Sequence, residues 1–250
     1  MRLAAVLLLA MALLSARAGA TDGTVVLATP DRVPMAYVEN GRLTGLLVDL
    51  TREAFRRAGK TVEVKLMPWP RCLADTRDGK ADAVVTIFKT PEREAQFAFT
   101  HEELLHQTES LFVRKGAAIS YDGDLGSLAG KRVGIVYRTS YGPRLDEALA
   151  KSLFGAIETQ RNMADLVKML AYGRIDVLPG DRGRILGAAQ TIGVSDQVSE
   201  LLPAVETVSG YLAFTRFRDM NVLSDAFDEA VRAMKKDGSY AAILAKYPNR

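Results

Sequence analysis

The chain has 250 residues, with 33 basic and 30 acidic side chains, 48% apolar residues and one cysteine. A net charge of +3, without any run of five or six basic residues, argues against nucleic acid or an acidic membrane surface as partner. The lone thiol, Cys72, excludes an internal disulfide and a cysteine metal cluster. It reads as a small packed residue rather than a nucleophile.

Residues 1–20 are predicted to be a secretory signal peptide. Met1-Arg2 is a basic start, residues 3–14 are Leu, Ala, Val and Met, and Ala18-Gly19-Ala20 is a small-x-small cleavage site. Ala16-Arg17-Ala18 offers a second site, and an uncleaved anchor is the alternative. The apolar part is short for a membrane span of about 20 residues, and no cysteine stands nearby to take a lipid. Cleavage would remove Arg2 and Arg17, bringing the charge to about +1 and leaving about 230 residues, enough for two domains.

Residues 24–28 form a short apolar strand, and residues 32–37 an extended loop. Asn40-Gly41 signals a turn. Residues 43–58 carry a helical stripe, Leu43, Leu46, Leu47, Leu50, Ala54 and Ala58, stopped by Gly59. Residues 61–66 alternate as a half-buried strand, and Trp69-Pro70-Arg71 opens a helix that stops at Gly79. Residues 83–88 read as a buried strand. Thr90-Pro91-Glu92 then reads as a helix start: an N-cap, a proline at the first position and an acid in the first turn. Arg93 falls where the free N–H groups of that helix point, a setting for a small anion; a plain cap with a solvated arginine is the other reading. The order so far, β-α-β-α-β-α, favours a mostly parallel sheet.

Residues 109–115 hold an apolar run that is expected to cross into a second unit. Residues 131–137, 157–160 and 175–178 are its predicted strands. Its helices lie over 145–153, after an Asn162 cap, and after Asp181. Residues 208–215 return as a strand, followed by helices over 222–238 and 240–246. Gly79-Lys80-Ala81-Asp82-Ala83-Val84 and Gly173-Arg174-Ile175-Asp176-Val177-Leu178 match each other, one in each unit. Asp82 and Asp176 are therefore expected to be structural, bonding backbone N–H groups of a turn.

These pieces, in this order, resemble the family 3 bacterial extracellular solute-binding proteins, the periplasmic binding proteins of polar amino-acid ABC importers. The resemblance covers essentially all of the chain after residue 20. It is carried by residues 34–50 (P-M-A-Y-V-E-N-G-R-L-T-G-L-L-V-D-L), 79–99, 133–142 and 173–181. It implies an α/β, two-lobed periplasmic binding protein fold of type II, with a ligand cleft between lobes joined by a two-strand hinge. Residues 21–114 and 210–250 would build lobe 1, and residues 115–209 lobe 2. The implied function is capture of an amino acid or similar small carboxylate in the periplasm, by a monomer that delivers it to an inner-membrane ABC permease. No cofactor, metal, nucleic acid or catalytic residue is implied.

The resemblance places the ligand's α-carboxylate at Arg93, assisted by Thr86. Phe88 stands where a second hydroxyl is usual. Thr139 and Ser140 fit the donor loop of lobe 2, with Arg138 in place of a glycine. Asp181 takes the ligand's ammonium, Trp69 covers its side chain, and Arg32 replaces a cleft aromatic. Each has a plainer reading: Arg93 in a surface ion pair, Asp181, Thr139 and Ser140 as caps, Trp69 as core.

Two other classes are weighed. An enzyme on the same fold, similar to the cyclohexadienyl dehydratases, needs a tuned acid or base in the cleft; His101, Glu102 and Glu103, expected after the Arg93 helix, are the candidates. A ligand-sensing module for a signalling receptor is the third class. His101-Glu102-Glu103-Leu104-Leu105-His106 looks like a zinc-protease motif, but its histidines are five apart rather than four. A helix would turn them about 140° from each other. No Gly-rich phosphate loop or G-x-S-x-G elbow is present.

Overall fold

The computed structural model describes residues 23–247; the predicted signal peptide, residues 1–20, lies outside the described residues. Strand β1 (Val25–Thr29) is apolar and buried, and lies between β4 (Val62–Leu66) and β5 (Ala83–Ile87), parallel to both. A strand covered on both faces is what such a position requires. The intervening hairpin, β2 (Tyr37–Glu39) and β3 (Arg42–Thr44), closes through Asn40-Gly41, both at positive φ.

Helix α1 (Leu46–Arg57) starts later than the stripe suggested, because Leu43 belongs to β3. Gly45 decides the boundary. Its φ is +123°, and a Cβ there would lie 2.4 Å from the Met35 carbonyl oxygen. Only glycine lets the chain turn there, and the first helical N–H groups then bond Pro34 O at 2.9 Å and Met35 O at 2.8 Å. Helix α2 (Trp69–Arg77) buries Cys72 against β1 and β5, and α3 (Pro91–Gln96) is six residues long.

Strands β6 (Phe97–Arg114) and β10 (Val198–Thr215) are 18 residues each and pair antiparallel. At one end β10 pairs with β5; at the other β6 pairs with β9 (Leu178–Asp181). The sheet order is β4-β1-β5-β10-β6-β9. Only β4, β1 and β5 run parallel, because β6 and β10 are the outward and return connections between the lobes and must oppose each other. The register of β10 shifts three times, between Leu201 and Glu206, Gly210 and Tyr211, and Tyr211 and Ala213, irregularities that twist and bend such a ribbon.

The second lobe adds β7 (Arg132–Val136) parallel to β8 (Ala156–Gln160), with α4 (Pro143–Ala150), α5 (Met163–Ala171) and α6 (Arg182–Thr191). The strand predicted over 175–178 starts only at Leu178. Val177 makes a single bridge to Val133, and pairing with β6 begins one residue later. Helices α7 (Asn221–Asp237) and α8 (Ser239–Ala245) return to lobe 1, where Phe227, Val231, Met234 and Ile243 join Leu46, Leu50, Phe55 and Phe214.

The repeated Gly-basic-x-Asp segments do the same work in each lobe. Asp82 Oδ2 accepts from Val26 N at 2.7 Å, while Asp82 N donates to Val26 O at 2.8 Å. Asp176 Oδ2 accepts from Arg132 N at 2.9 Å, while Asp176 N donates to Arg132 O at 2.8 Å. Each carboxylate thus pins the neighbouring strand rather than a turn, and each also meets a guanidinium, Arg218 or Arg132.

His101 to His106 lie in β6, not on a helix. The β6–β10 register shifts between Glu103 and Leu105, so strict alternation breaks there and the helical angle does not apply. His106 Nε2 pairs with Glu103 Oε1 at 2.9 Å, and Ser209 Oγ donates to Glu103. Glu102 takes Lys235 Nζ at 2.9 Å, and Asp228 of α7 accepts from His101 N and Glu102 N. The candidate acids are therefore engaged with α7, Ser209 and His106.

Candidate functional site

Arg93 stands in the first turn of α3, where Thr90 Oγ1 accepts from Arg93 N at 3.3 Å. A helix this short contributes little dipole, so the guanidinium itself is the charge on offer. It is 9% exposed. Nη1 donates to Phe88 O at 3.1 Å and Nη2 to Arg138 O at 3.5 Å, and Cζ lies 5.6 Å from the centre of the Trp69 ring. Burial lowers its pKa, and the charges of Asp146 and Glu92 partly restore it. Among the described residues no carboxylate pairs with it; both of its side-chain hydrogen bonds go to backbone carbonyls.

Phe88 is buried and offers its carbonyl rather than a side-chain donor. Thr86 has φ +54°, an outlying conformation for a β-branched residue, and its Oγ1 donates to Val85 O at 2.8 Å. Such outliers cluster where a site imposes them. Arg138 repeats the pattern in lobe 2, with φ +57° at the position predicted to suit glycine. Its carbonyl accepts from Trp69 Nε1 at 2.9 Å as well as from Arg93. Two side chains of lobe 1 thus hold one carbonyl of lobe 2. Trp69 is half-buried, between the Arg93 guanidinium and the α2 packing cluster.

Thr139 N closes a turn onto Val136 O at 3.2 Å. Ser140 Oγ donates to Asp146, whose other oxygen accepts from Tyr141 N at 2.8 Å. Ser140 therefore serves the start of α4, and Asp146 is the acid this loop presents near Arg93.

Asp181 ends β9 and caps α6, its Oδ1 accepting from Arg184 N at 2.8 Å. It is 8% exposed. Arg32 is half-buried in the loop after β1 and reaches Gln107 Oε1 at 3.4 Å. Burial lowers the pKa of Arg32; the charge of Asp181 raises it, Arg184 lowers it and Glu109 raises it. Glu109, on β6, is 3% exposed, and its Oε2 has no hydrogen-bond partner among the described residues. Its pKa lies well above the usual carboxylate range, first through burial and then through Asp181, with Arg184 and Arg32 opposing.

The expected residues thus fall into two groups. Arg93, Trp69, the Phe88 and Arg138 carbonyls and Asp146 form one. Arg32, Asp181, Arg184 and Glu109 form the other. Arg93 and Asp181 have no direct contact among the described residues. Sequence reading missed Glu109, Asp146 and the Arg138 carbonyl; an acid two residues before the apolar run 111–113 was the one available signal for Glu109. A buried guanidinium without a carboxylate and a buried carboxylate with one oxygen free can receive opposite ends of a small zwitterion.

The chain is 23% identical over 223 residues to the probable amino-acid-binding protein YxeM of Bacillus subtilis, covering 89% of this chain and 82% of that protein. It is 26% identical over 214 residues to the L-cystine-binding protein TcyJ of Escherichia coli, covering 84% of this chain and 76% of that one. Among solved structures, a histidine kinase sensor domain with similarity to periplasmic binding proteins superposes with a TM-score of 0.78 at 22% identity, covering 90% of this chain and 95% of that one. An ancestral arginine-binding protein bound to arginine gives 0.75 at 24%, covering 90% and 98%. These likenesses show the shared fold, two α/β lobes joined by two strands. The family model for bacterial extracellular solute-binding proteins, family 3, matches residues 24–250, and the chain belongs to that family.

Proposed function

We propose that the protein captures an amino acid or similar small carboxylate between its lobes in the periplasm and, as a monomer, delivers it to an inner-membrane ABC importer. Residues 1–20 are removed on export. Residues 21–114 and 210–250 act as one jaw, and residues 115–209 as the other. Arg93 receives the carboxylate and Asp181 the ammonium. Thr86 and Thr139 offer hydroxyls, Trp69 covers the ligand side chain, and Ser140 keeps Asp146 and the α4 turn in place. Phe88 orients Arg93 through its carbonyl, and Arg32 balances Asp181. Binding both ends of a zwitterion favours the closed state, since closure alone satisfies both.

The observation that carries this reading is Arg93: a buried cation held by two carbonyls and an aromatic ring, with no carboxylate paired to it among the described residues. The relatives named as binding amino acids and cystine support the ligand class. The test is a thermal-shift screen of the twenty L-amino acids and small organic acids. A ligand at 100 times its Kd adds about 2.7 kcal/mol to stability. A screen without a single stabilising compound overturns the reading, and conversion of prephenate or arogenate to an aromatic product overturns its non-catalytic part.

A further inference from the structure

We infer that Glu109 is a second acceptor, beside Asp181, for the ligand's amine, and that it releases a proton when the amine seats. This rests on the binding reading above and deepens it. Glu109 pairs directly with Glu206 on β10 and with Asp181 on β9. Directly opposed residues project from the same face of a sheet, so three carboxyl groups stand in a row across adjacent strands. Like charges so placed repel unless a cation or a proton intervenes.

The outer two acids are engaged. Glu206 Oε1 accepts from Arg144 N at 2.9 Å, and Asp181 Oδ1 from Arg184 N at 2.8 Å. The central one is not: Glu109 Oε2 is buried without a partner among the described residues. The other groups around it are Arg32 from the loop after β1, Arg184 from α6, and Asp146 and Tyr141 from the α4 end, and none hydrogen-bonds to it. Burial first, and then the charge of Asp181, shift it toward the neutral acid.

An ammonium group has three N–H donors and needs acceptors from more than one direction. The second oxygen of Asp181 and Oε2 of Glu109 come from neighbouring strands and supply two of them. Once the cation sits between them, the reason for Glu109 to keep its proton is gone, and the proton passes to the buffer. The ligand class is therefore an amine-bearing carboxylate, in preference to the desamino acid of the same size. Affinity rises with pH as long as Glu109 in the free protein is protonated.

The experiment is calorimetric titration with each of the twenty L-amino acids at neutral pH, in phosphate and in Tris, whose ionisation enthalpies differ. For an amino acid that binds, wild type is expected to release protons, up to one and more at lower pH, and Glu109→Gln none. The affinity of wild type is expected to tighten by up to about tenfold per pH unit, while that of Glu109→Gln stays flat. Equal proton release by both proteins, no release by wild type, or equally tight binding of the desamino acid overturns the role of Glu109 while leaving capture of amino acids intact. If no L-amino acid binds wild type, this inference falls, and the binding reading then stands or falls with the organic acids of the thermal-shift screen. If Glu109→Gln does not fold, the wild-type proton count alone decides.

Discussion

Replacing Arg93 with alanine separates binding from stability. In the closed cleft the ligand carboxylate would lose its cation while remaining buried, and truncating one member of such a pair costs about 2–5 kcal/mol. That is roughly 30- to 5,000-fold in Kd. The ligand-free protein loses a 3.1 Å bond to Phe88 O and a 3.5 Å bond to Arg138 O, but Arg138 O keeps Trp69 Nε1 at 2.9 Å. One carbonyl is left without its donor, a loss of about 1–3 kcal/mol. Removal of a buried cation that has no carboxylate partner offsets part of this loss. Stability should therefore fall by less than about 2 kcal/mol while binding falls by at least tenfold. Calorimetric titration and chemical denaturation on the same preparation read the two effects. An alanine variant that binds as tightly as wild type refutes the clamp, and one that fails to fold refutes the stability argument.

Other substitutions test the surrounding structure. Trp69→Phe keeps a ring against Arg93 but removes the 2.9 Å bond across the cleft, and should weaken binding by about 1 kcal/mol, or roughly fivefold in Kd; because Trp69 is the single tryptophan, wild-type fluorescence should change on ligand addition. Asp82→Ala and Asp176→Ala each free a strand N–H and should cost about 1–3 kcal/mol in denaturation while leaving Kd unchanged. The Cys72 thiol, 0% exposed and pushed up to about 12 chiefly by burial, should resist a thiol reagent at pH 8 and react fully in denaturant. Glu53 is held at about 2 by hydrogen bonds from Arg56 and Arg57, against an ordinary 4.5. Its depressed folded value means that its stabilising effect is present above the ordinary value and is lost as pH falls toward 2. The group is near the surface, so Glu53→Gln should flatten the acid limb of the stability profile by less than about 1 kcal/mol.

Much of this architecture was legible along the chain because its signals act between near neighbours. The Thr90 cap, the Asn162 cap and the Asn40-Gly41 turn each need only three or four consecutive residues, and each is present where the sequence placed it. The signals failed where local pattern and long-range contact disagree. Leu43 extends the helical stripe of α1, yet Gly45 beside Met35 starts the helix three residues later. The sequence assigns no element to His101 to His106, and only pairing with β10 makes them strand.

The sequence by itself determined the two α/β units, the echoed aspartates, the family, and the candidate pair Arg93 and Asp181, because motif, order and spacing are properties of the chain. Only the tertiary structure decided what those residues face. Register across β10, β6 and β9 lines up Glu206, Glu109 and Asp181, which are 97 and 72 positions from end to end of each span. Approach of the lobes brings the Arg138 carbonyl to Trp69 and Arg93 and Asp146 near the same guanidinium. A carboxyl group acquires its proton affinity, and a guanidinium its hydrogen-bond partners, from neighbours that strand pairing and the approach of the lobes supply.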